Sequence, residues 1–503
     1  MTDEEYLRHD AVGLAAKVGS GDVTPTELLE VALGRIEALN PALNAVVRVM
    51  EQDARADAQR SSHGPFSGVP FLAKDLTSTY AGHPTSAGSL LMAEYIHPRD
   101  TELAARVRRS GVSVVGKTNT PEWGLVPVTE SRYWGPCRNP WDLSRSPGGS
   151  SGGSGAAVAA GIVPMAGGGD GGGSIRIPAS CCGLFGLKPS RGRTPTGPHR
   201  GQLWRGAAIE HVLTRSVRDS AAMLDATHGP DAGAVFEIAD PTRPFLEEVR
   251  ADPGRLRIAW TTEPTVDVEV HPDCIAAVND AVALLTDLGH ELVEARPRVD
   301  GAAFARHFLT VVAGELGADL SEAEALLGRS RRRPELEPAT WALGLLADAS
   351  SANDFATALR KLEVVAREVG AFFADYDVML TPTLSTVPPT IGAMMPTKSE
   401  TAQLRFLGMF GSGRLIKAAG LIDEAAKTAL DFIPWTPIYN VTGHPAMSVP
   451  LHWNDANLPI GVHFIGRTAD EATLFRLAGQ LEAARPWFDR LPALATFEKG
   501  ETL

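Results

Sequence analysis

Residues 147–174 read PGGSSGGSGAAVAAGIVPMAGGGDGGGS, and twelve of these 28 residues are glycine. The whole chain has 50 glycines in 503 residues, so a segment of this length would on average hold about three. Glycine weakens helices and strands, and such a concentration is typical of backbone that adopts left-handed conformations or lies close to a ligand. A flexible linker is the alternative, but the helix-compatible run at 156–160 argues against it. The segment therefore predicts two ordered loops, one around Ser150 and one ending at Ser174.

The rest of the composition is that of a globular protein, with 44% hydrophobic and 21% charged residues. A net charge of −13 gives no electrostatic support for binding nucleic acid or an anionic membrane surface. Four irregularly spaced cysteines are too few for a disulfide framework, which favours a reducing, cytoplasmic compartment. The start of the chain is acidic and polar, unlike a secretory signal, and no apolar stretch is long enough to span a membrane.

The order of predicted elements indicates an α/β fold in one domain, although the length alone would allow about three domains. Thr24, Pro25 and Glu27 are suited to the N-cap, first and third positions of a helix, which we expect Asn40-Pro41 to end. Further periodic runs predict strands and helices; strands are expected at 69–73, 112–115, 255–260, 291–293, 378–380, 446–451 and 460–465, and helices at 272–288, 301–375 and 471–482. We interpret 1–503 as one domain with an N-terminal helical segment at about 1–60 and a core at about 67–195. Residues 196–215 and 300–350 lack strong strand signals and are interpreted as insertions that line a pocket.

The sequence GVSVVGKT at 111–118 fits the phosphate-loop pattern of nucleotide-binding proteins. Its valines are β-branched where a phosphate cradle needs a tight turn, the preceding segment is helical in character, and Pro121 interrupts the helix that should follow. We interpret it as a buried strand. A nucleotide-binding protein that uses Gly111 to Thr118 remains the alternative from another functional class.

The sequence Gly148-Gly-Ser150-Ser-Gly152 fits the nucleophile-elbow pattern of α/β-hydrolases. The strand that should precede an elbow is missing, because residues 138–147 are rich in Pro, Trp and Arg. Such an enzyme also needs an acid and a histidine, for which Asp377 and His444 are candidates without a local motif. A His-dependent serine esterase with its elbow at Ser150 is a second alternative.

A third interpretation places the chemistry at Asp170-Gly-Gly-Gly-Ser174. Hydrolysis of an amide needs a nucleophile, a base, an acid for the leaving amine, and donors for the developing oxyanion. Ser174 supplies a hydroxyl, and the backbone N–H groups of the three preceding glycines can form an anion-binding nest. A serine that merely caps a helix is the alternative.

Lys74 ends the apolar run Val69-Pro-Phe-Leu-Ala and is the candidate base. Burial would lower its pKa from about 10.4 towards neutrality, at a cost that only a functional site would normally retain. A strand-end lysine paired with Asp75 is the alternative. Ser150 is placed to relay a proton between Lys74 and Ser174, unless it is only a turn residue.

The remaining candidates are weaker. The 13 histidines have no metal-binding spacing, so no metal or other cofactor is expected. Cys181 and Cys182 are interpreted as core residues, and Arg176 is expected to pair with Asp170. Several aromatic residues near the motifs would suit an apolar acyl or aryl pocket: Trp123, Tyr133, Trp134, Trp204 and Trp435.

Taken together, these motifs resemble the amidase signature family along nearly the whole chain. The matching stretches are Gly68 to Asp75, Gly116 to Glu122, Pro147 to Gly155, Asp170 to Ala179, Gly186 to Pro189, Asn440 to Ala446 and Leu458 to His463. Within the family, the sequence is most similar to cyclic nylon-oligomer (aminohexanoate cyclic-dimer) hydrolases. The chain departs from the family at Gly169, where many members have Thr.

The resemblance implies an amidase signature fold, with a large central mixed β-sheet covered by helices on both faces. It implies Ser174 as nucleophile, Ser150 as a bridging serine on a cis peptide, and Lys74 as base. The oxyanion hole would be the N–H groups of Gly171, Gly172, Gly173 and Ser174, with Ser151, Asp170 and Arg176 in support. The predicted activity is hydrolysis of a small linear or cyclic amide, aryl amide or carbamate through an acyl-enzyme, without metal or cofactor, by a homodimer.

Overall fold

The computed structural model describes residues 1–60, 64–397, 399, 401–402 and 430–496. The predicted domain 1–503 also includes residues 61–63, 398, 400, 403–429 and 497–503, which lie outside the described residues. The helices are α1 (Asp3–Leu7), α2 (Ala11–Ser20), α3 (Pro25–Leu43), α4 (Glu51–Gln59), α5 (Glu102–Arg109), α6 (Gly152–Ala159), α7 (Arg176–Cys182), α8 (Val217–Thr227), α9 (Phe245–Glu248), α10 (Pro272–Asp287), α11 (Gly301–Leu327), α12 (Pro338–Ala349), α13 (Ala352–Phe372), α14 (Thr436–Val441) and α15 (Glu471–Ala484). The strands are β1 (Val46–Val49), β2 (Pro70–Lys74), β3 (Ser113–Thr118), β4 (Glu130–Ser131), β5 (Gly135–Pro136), β6 (Met165–Asp170), β7 (Phe185–Lys188), β8 (Ile209–Thr214), β9 (Arg257–Trp260), β10 (Glu291–Glu294), β11 (Val378–Pro382), β12 (Ala446–Trp453) and β13 (Pro459–Gly466).

An 11-stranded sheet forms the centre of the fold, in the order β1-β3-β2-β6-β8-β7-β12-β13-β11-β9-β10. The sheet is mixed, because β3, β2 and β6 run parallel, as do β11, β9 and β10, while the strands between these groups are antiparallel. Strands from both ends of the described chain thus contribute to one sheet. The predicted α/β class with a large mixed sheet is confirmed.

Both faces of the sheet are buried under helices. On β2, Leu72 belongs to a hydrophobic cluster that includes α6 and α7, while Phe71 and Ala73 belong to a different cluster that includes α5 and α8. Successive residues of a strand point to opposite faces, so the two clusters lie on opposite sides of the sheet. No helix within the described residues is both long and apolar enough to cross a membrane.

The sequence predicted the start of helix α3 correctly and its end wrongly. The Thr24 hydroxyl accepts from the Glu27 N–H, and the Glu27 carboxylate accepts from the Thr24 N–H, so the predicted start of α3 is confirmed. The predicted end at Asn40-Pro41 is wrong, because the helix continues to Leu43. Pro41 lies in the last turn, where its lost N–H removes only one bond, and the helix ends at Asn44 in a left-handed conformation.

The segment 196–215, which lacks strong strand signals and was interpreted as an insertion that lines a pocket, contains β8 in the middle of the sheet. The strand pairs with β6 and β7 and is buried along its whole length. Glu210 and His211 interrupt the apolar sequence of this strand, and the structure shows a partner or cavity for each. Glu210 faces the cavity described below, and His211 forms a hydrogen bond with the Ser220 hydroxyl at 2.8 Å. Segment 300–350 contains α11 and α12, and residues of both line that cavity.

Two neighbouring parallel strands end at the same edge of the sheet. Lys74 is the last residue of β2, and Asp170 is the last residue of β6. Parallel strands present their carboxyl ends together, and ligands of open α/β sheets commonly bind there. This topology brings the lysine and the glycine-rich loop to one place.

Candidate active site

Lys74 and Ser150 are in direct contact. The Lys74 Nζ lies 2.7 Å from the Ser150 Oγ and 3.3 Å from the carbonyl oxygen of Gly169. The peptide bond between Gly149 and Ser150 is cis, as the resemblance implies. The alternative pairing of Lys74 with Asp75 is wrong, because Asp75 instead accepts from Ser86 and lies 3.8 Å from Lys117.

The surroundings of Lys74 favour a neutral amine. Its side chain is fully buried, and this loss of hydration lowers the pKa of Lys74 to about 7, against the opposing charges of Glu210 and Asp170. A neutral amine can accept the hydroxyl proton of Ser150, whereas an ammonium can only donate. At neutral pH the pair can therefore move a proton in either direction.

Glu210 is a neighbour of Lys74 that the sequence analysis missed. It lies opposite Gly169 in the β6–β8 register, and its carboxylate accepts from the hydroxyls of Thr77 at 2.5 Å and Ser78 at 2.9 Å. Burial raises the pKa of Glu210, and these hydroxyls and Lys74 oppose the rise. Its only signal in the sequence was a carboxyl group within the short run 209–214, which was not predicted to be a strand.

Ser174 lies directly after the glycine loop and before α7. Its side chain lines the same cavity as Ser150 and is buried, with 7% of its surface exposed. The Ser151 N–H donates to the Ser174 carbonyl oxygen at 3.2 Å, and the Ser151 hydroxyl bonds both the N–H and the carbonyl oxygen of Gly169. Ser151 thereby holds the two glycine-rich loops together.

The N–H groups of the nucleophile loop divide into two sets. The Gly173 N–H donates to the Asp170 carboxylate at 2.7 Å and is therefore already engaged. Within the part of the chain that the structure describes, the N–H groups of Gly171, Gly172 and Ser174 donate to no other group. These three remain available to an anionic group in the cavity.

Asp170 and Arg176 clamp this loop from beneath, and their predicted pairing is confirmed. Both side chains are fully buried, with Arg176 Nη2 2.9 Å from Asp170 Oδ1 and Arg176 Nε 3.0 Å from Asp170 Oδ2. Burial alone would raise the pKa of Asp170, but Arg176 and Asn440 hold it well below its usual range. An ionised Asp170 can then fix the N–H groups of Gly173 and Ile175.

Three residues from the C-terminal part of the chain complete the clamp. The Asn440 amide donates to both the carbonyl oxygen and the carboxylate of Asp170 at 2.8 Å, and the Thr436 hydroxyl donates to the Gly172 carbonyl oxygen at 2.7 Å. Arg176 Nη1 contacts His463 Nε2 at 2.9 Å, and burial lowers the pKa of His463 well below its usual range, so the neutral ring accepts there. The loop conformation is thus fixed by long-range contacts that no local motif specifies.

A cavity of about 790 Å³ opens above these groups. Ser150, Ser174 and the loop at Asp170–Gly172 lie at its base, and most of its wall is apolar. Of the aromatic candidates, Trp123 and Trp204 line the cavity, while Tyr133, Trp134 and Trp435 do not. A pocket of this kind suits an uncharged organic molecule larger than a simple amide such as acetamide.

The structure contradicts both alternative readings of the motifs. The segment at 111–118 contains β3, a buried strand, and its Lys117 bonds the Thr85 hydroxyl, so these residues do not form a phosphate cradle. No strand precedes Ser150 among residues 137–149. His444 bonds Thr442 and Asp377 pairs with Arg467, so neither reaches Ser150 in an esterase triad.

Among the described residues, neither the cysteines nor a cluster of possible metal ligands extends the site. Cys181 and Cys182 are fully buried in the core, and burial raises the pKa of both thiols, which confirms packing as their role. Across the described ranges, no three His, Cys, Asp or Glu side chains are grouped so that they would hold a metal ion.

Comparison with known proteins gives matches to amidases, both in sequence and in structure. The sequence matches the Amidase family over residues 27–475. It is 37% identical over 495 residues to a 6-aminohexanoate-cyclic-dimer hydrolase of Pseudomonas sp. (strain NK87), with 97% of each chain covered. The solved structure of a 6-aminohexanoate cyclic dimer hydrolase complexed with substrate is similar, with a TM-score of 0.87 and 36% identity over 97% of this chain and 99% of that one. A bacterial aryl acylamidase of the amidase signature family gives a TM-score of 0.83 at 25% identity, with 98% of this chain and 99% of that one covered.

Proposed function

The chain belongs to the amidase signature family of hydrolases that cleave amide C–N bonds, and from this premise we propose that Ser174 is its nucleophile, with Ser150 and Lys74 as the proton relay. The observation that carries the proposal is the 2.7 Å contact between the buried Lys74 Nζ and the Ser150 Oγ, at the base of a cavity that Ser174 also lines. A lysine that is neutral near pH 7 supplies the base that a serine nucleophile needs.

In the acylation step, neutral Lys74 takes the proton of Ser150 as Ser150 takes the proton of Ser174. The Ser174 Oγ forms a bond to the substrate carbonyl carbon, and the carbonyl π electrons move to the oxygen. The N–H groups of Gly171, Gly172 and Ser174 stabilise this oxyanion, because they are the donors of the loop that have no other partner among the described residues. Gly173, with its N–H held by Asp170, acts through the shape of the loop.

When the intermediate collapses, the C–N bond breaks and the proton held by Lys74 returns through Ser150 to the leaving amine. An ester between Ser174 and the acyl group remains. Water then attacks this ester, with its proton passing to the same relay, and the carboxylic acid is released while Ser174 regains its proton. One relay thus serves as acid and as base in both halves of the reaction.

For the substrate, we propose a small, uncharged linear or cyclic amide, with the cyclic dimer of 6-aminohexanoate as the first candidate. The large apolar cavity and the similarity to hydrolases of that dimer support this choice. Aryl amides follow as second candidates, because an aryl acylamidase is among the similar structures. The homodimer and the cytoplasmic location stay predictions of the sequence.

The variant Ser174→Ala tests the assignment. We expect it to lose at least about 1,000-fold in kcat, since removal of a triad nucleophile in serine hydrolases has effects of that order or larger. The far-ultraviolet circular dichroism and the melting temperature should stay close to those of the wild type. A matched variant, Ser78→Ala, removes a hydroxyl near Lys74 that is not in the relay and should retain measurable turnover. Activity of Ser174→Ala at the wild-type level would refute the proposal.

A further inference from the structure

The turn that carries Trp204 has an unusual backbone. Trp204 and Arg205 both have left-handed φ angles, 45° and 52°, followed by Gly206 at 80°. Two consecutive residues with side chains in this region each cost roughly 1 kcal/mol or more. The turn is closed by two hydrogen bonds: the Gly206 N–H donates to the Leu203 carbonyl oxygen, and the Ala207 N–H donates to the Trp204 carbonyl oxygen. Arg191 Nε also donates to the Gly206 carbonyl oxygen at 3.0 Å. The surrounding structure therefore maintains a conformation that is locally unfavourable.

This backbone places the Trp204 indole against the nucleophile loop. A Cβ added at Gly171 would lie 2.9 Å from Trp204 Cε3 and 3.1 Å from Cζ3, and the next nearest atom is Ala208 Cβ at 3.4 Å. Gly171 itself does not have a left-handed φ. Its lack of a side chain is thus explained by the indole alone, and not by its backbone conformation.

The neighbouring loop position has a different aromatic neighbour. A Cβ at Gly172 would lie 3.7 Å from Phe308 of α11, which is ordinary van der Waals contact. Trp204 and Phe308 both line the cavity. Two aromatic side chains therefore stand beside the two glycines whose N–H groups are available for an oxyanion.

The indole also has a polar neighbour in Asp319 of α11. Asp319 of α11 forms an ion pair with Arg200, and the side chain of Trp204 is among the groups that favour the ionised form of Asp319. Burial raises the pKa of Asp319, and Arg200 opposes that rise most strongly. Trp204 thus lies between a partly buried ion pair and the nucleophile loop.

We propose that Trp204 determines substrate specificity, by restricting the enzyme to amides whose reacting carbonyl carries an unbranched aliphatic chain or a flat aryl group. A substrate with its carbonyl oxygen at the Gly171 and Gly172 N–H groups must place the adjoining atoms beside the indole. A branch at the carbon next to the carbonyl then meets the ring, whereas a methylene chain or a flat ring passes along it. This inference rests on the proposed function of the nucleophile loop.

The first test compares acyl groups. We expect Trp204→Ala to raise the ratio of kcat/KM for isobutyryl p-nitroanilide to that for butyryl p-nitroanilide by at least about tenfold, equivalent to about 1.4 kcal/mol. Trp123→Ala is the matched control, because it removes another indole from the wall of the same cavity and should leave the ratio within about twofold. An unchanged ratio in Trp204→Ala, or an equal change in Trp123→Ala, would overturn the proposal.

The second test uses the contact itself. Gly171→Ala should lower kcat/KM by about 100-fold, because a displacement of about 1 Å near the reacting atoms has effects of that size. Adding Trp204→Ala should restore at least tenfold of this loss, whereas adding Trp123→Ala should restore none. If Gly171→Ala does not fold, the selectivity ratio of Trp204→Ala decides alone. Activity in Ser174→Ala would instead refute the proposed function, so the two failures are distinguishable.

Discussion

The buried Lys74 should make amide hydrolysis depend on pH in a defined way. The fully buried side chain has its pKa lowered from 10.5 to about 7, because burial disfavours the ammonium form. Only the neutral amine can accept the proton of Ser150, so kcat/KM should follow the fraction of neutral Lys74. We expect activity to rise with pH and to reach a plateau above about pH 8.

The size of the effect follows from the titration of one group. With a pKa near 7, the neutral fraction is about one half at pH 7, about one eleventh at pH 6 and about one hundredth at pH 5. An exposed lysine would instead leave activity rising about tenfold per pH unit up to about pH 10. The position of the midpoint therefore distinguishes a buried base from an ordinary surface lysine.

Glu210 supplies the second part of the prediction. Its charge and that of Asp170 are the groups that favour the ammonium form of Lys74. Glu210→Gln removes one of these charges and keeps the carbonyl oxygen that accepts from Thr77 and Ser78. The midpoint should therefore move to lower pH. Glu337→Gln is the matched control, because Glu337 lines the same cavity but does not act on Lys74.

The assay follows release of p-nitroaniline from butyryl p-nitroanilide between pH 5 and pH 9, where this substrate does not titrate. Both carboxamide variants are measured beside the wild type, and each curve is fitted for its midpoint. A wild-type midpoint above pH 9, or an upward shift of the midpoint in Glu210→Gln, would refute the role of buried Lys74 as the base. A shift in Glu337→Gln as large as that in Glu210→Gln would refute it too.

Two further predictions concern stability. Lys74→Met should abolish turnover but raise the free energy of unfolding at pH 7. The unfolded chain holds the Lys74 proton up to about pH 10.5 and the folded chain only up to about pH 7. The advantage of the variant should therefore be full below pH 7 and shrink as the pH rises from 7 towards 10.5, which urea unfolding at several pH values would measure. Arg176→Met leaves the buried Asp170 without its ion-pair partner and should lower the free energy of unfolding by about 3–5 kcal/mol. Urea unfolding measures this change, and a decrease below about 1 kcal/mol would contradict the prediction.

Local chemistry made much of the fold and the relay predictable. Several signals depend only on residues close by in the sequence. They are the capping residues Thr24 and Glu27, the valines of β3, and the apolar run before Lys74. The glycine concentration identified both loops because only backbone freedom or close approach explains it. These features need no knowledge of which strands are neighbours.

Contacts that depend on the register between distant strands were not predictable from the sequence. Glu210 reaches Lys74 because β8 pairs with β6 so that Glu210 lies opposite Gly169. In sequence, the same carboxyl group only weakened the strand signal at 209–214. The polar residue that obscured the strand is thus the one that faces the cavity, and a single charged residue within a buried strand is a useful sign of a site.

Glycine is required at different positions of the nucleophile loop for different physical reasons, which composition alone could not distinguish. Gly173 has a φ of 130°, and a Cβ there would lie 2.5 Å from the Thr436 hydroxyl, so both backbone and neighbour exclude a side chain. Gly171 has no such backbone requirement and is restricted only by the Trp204 indole. We therefore expect a substitution at Trp204 to restore activity to Gly171→Ala, and no single substitution to restore activity to Gly173→Ala. On the proposed role of Trp204, Gly171 makes room for the indole that selects the substrate, whereas Gly173 is needed for the conformation of the loop.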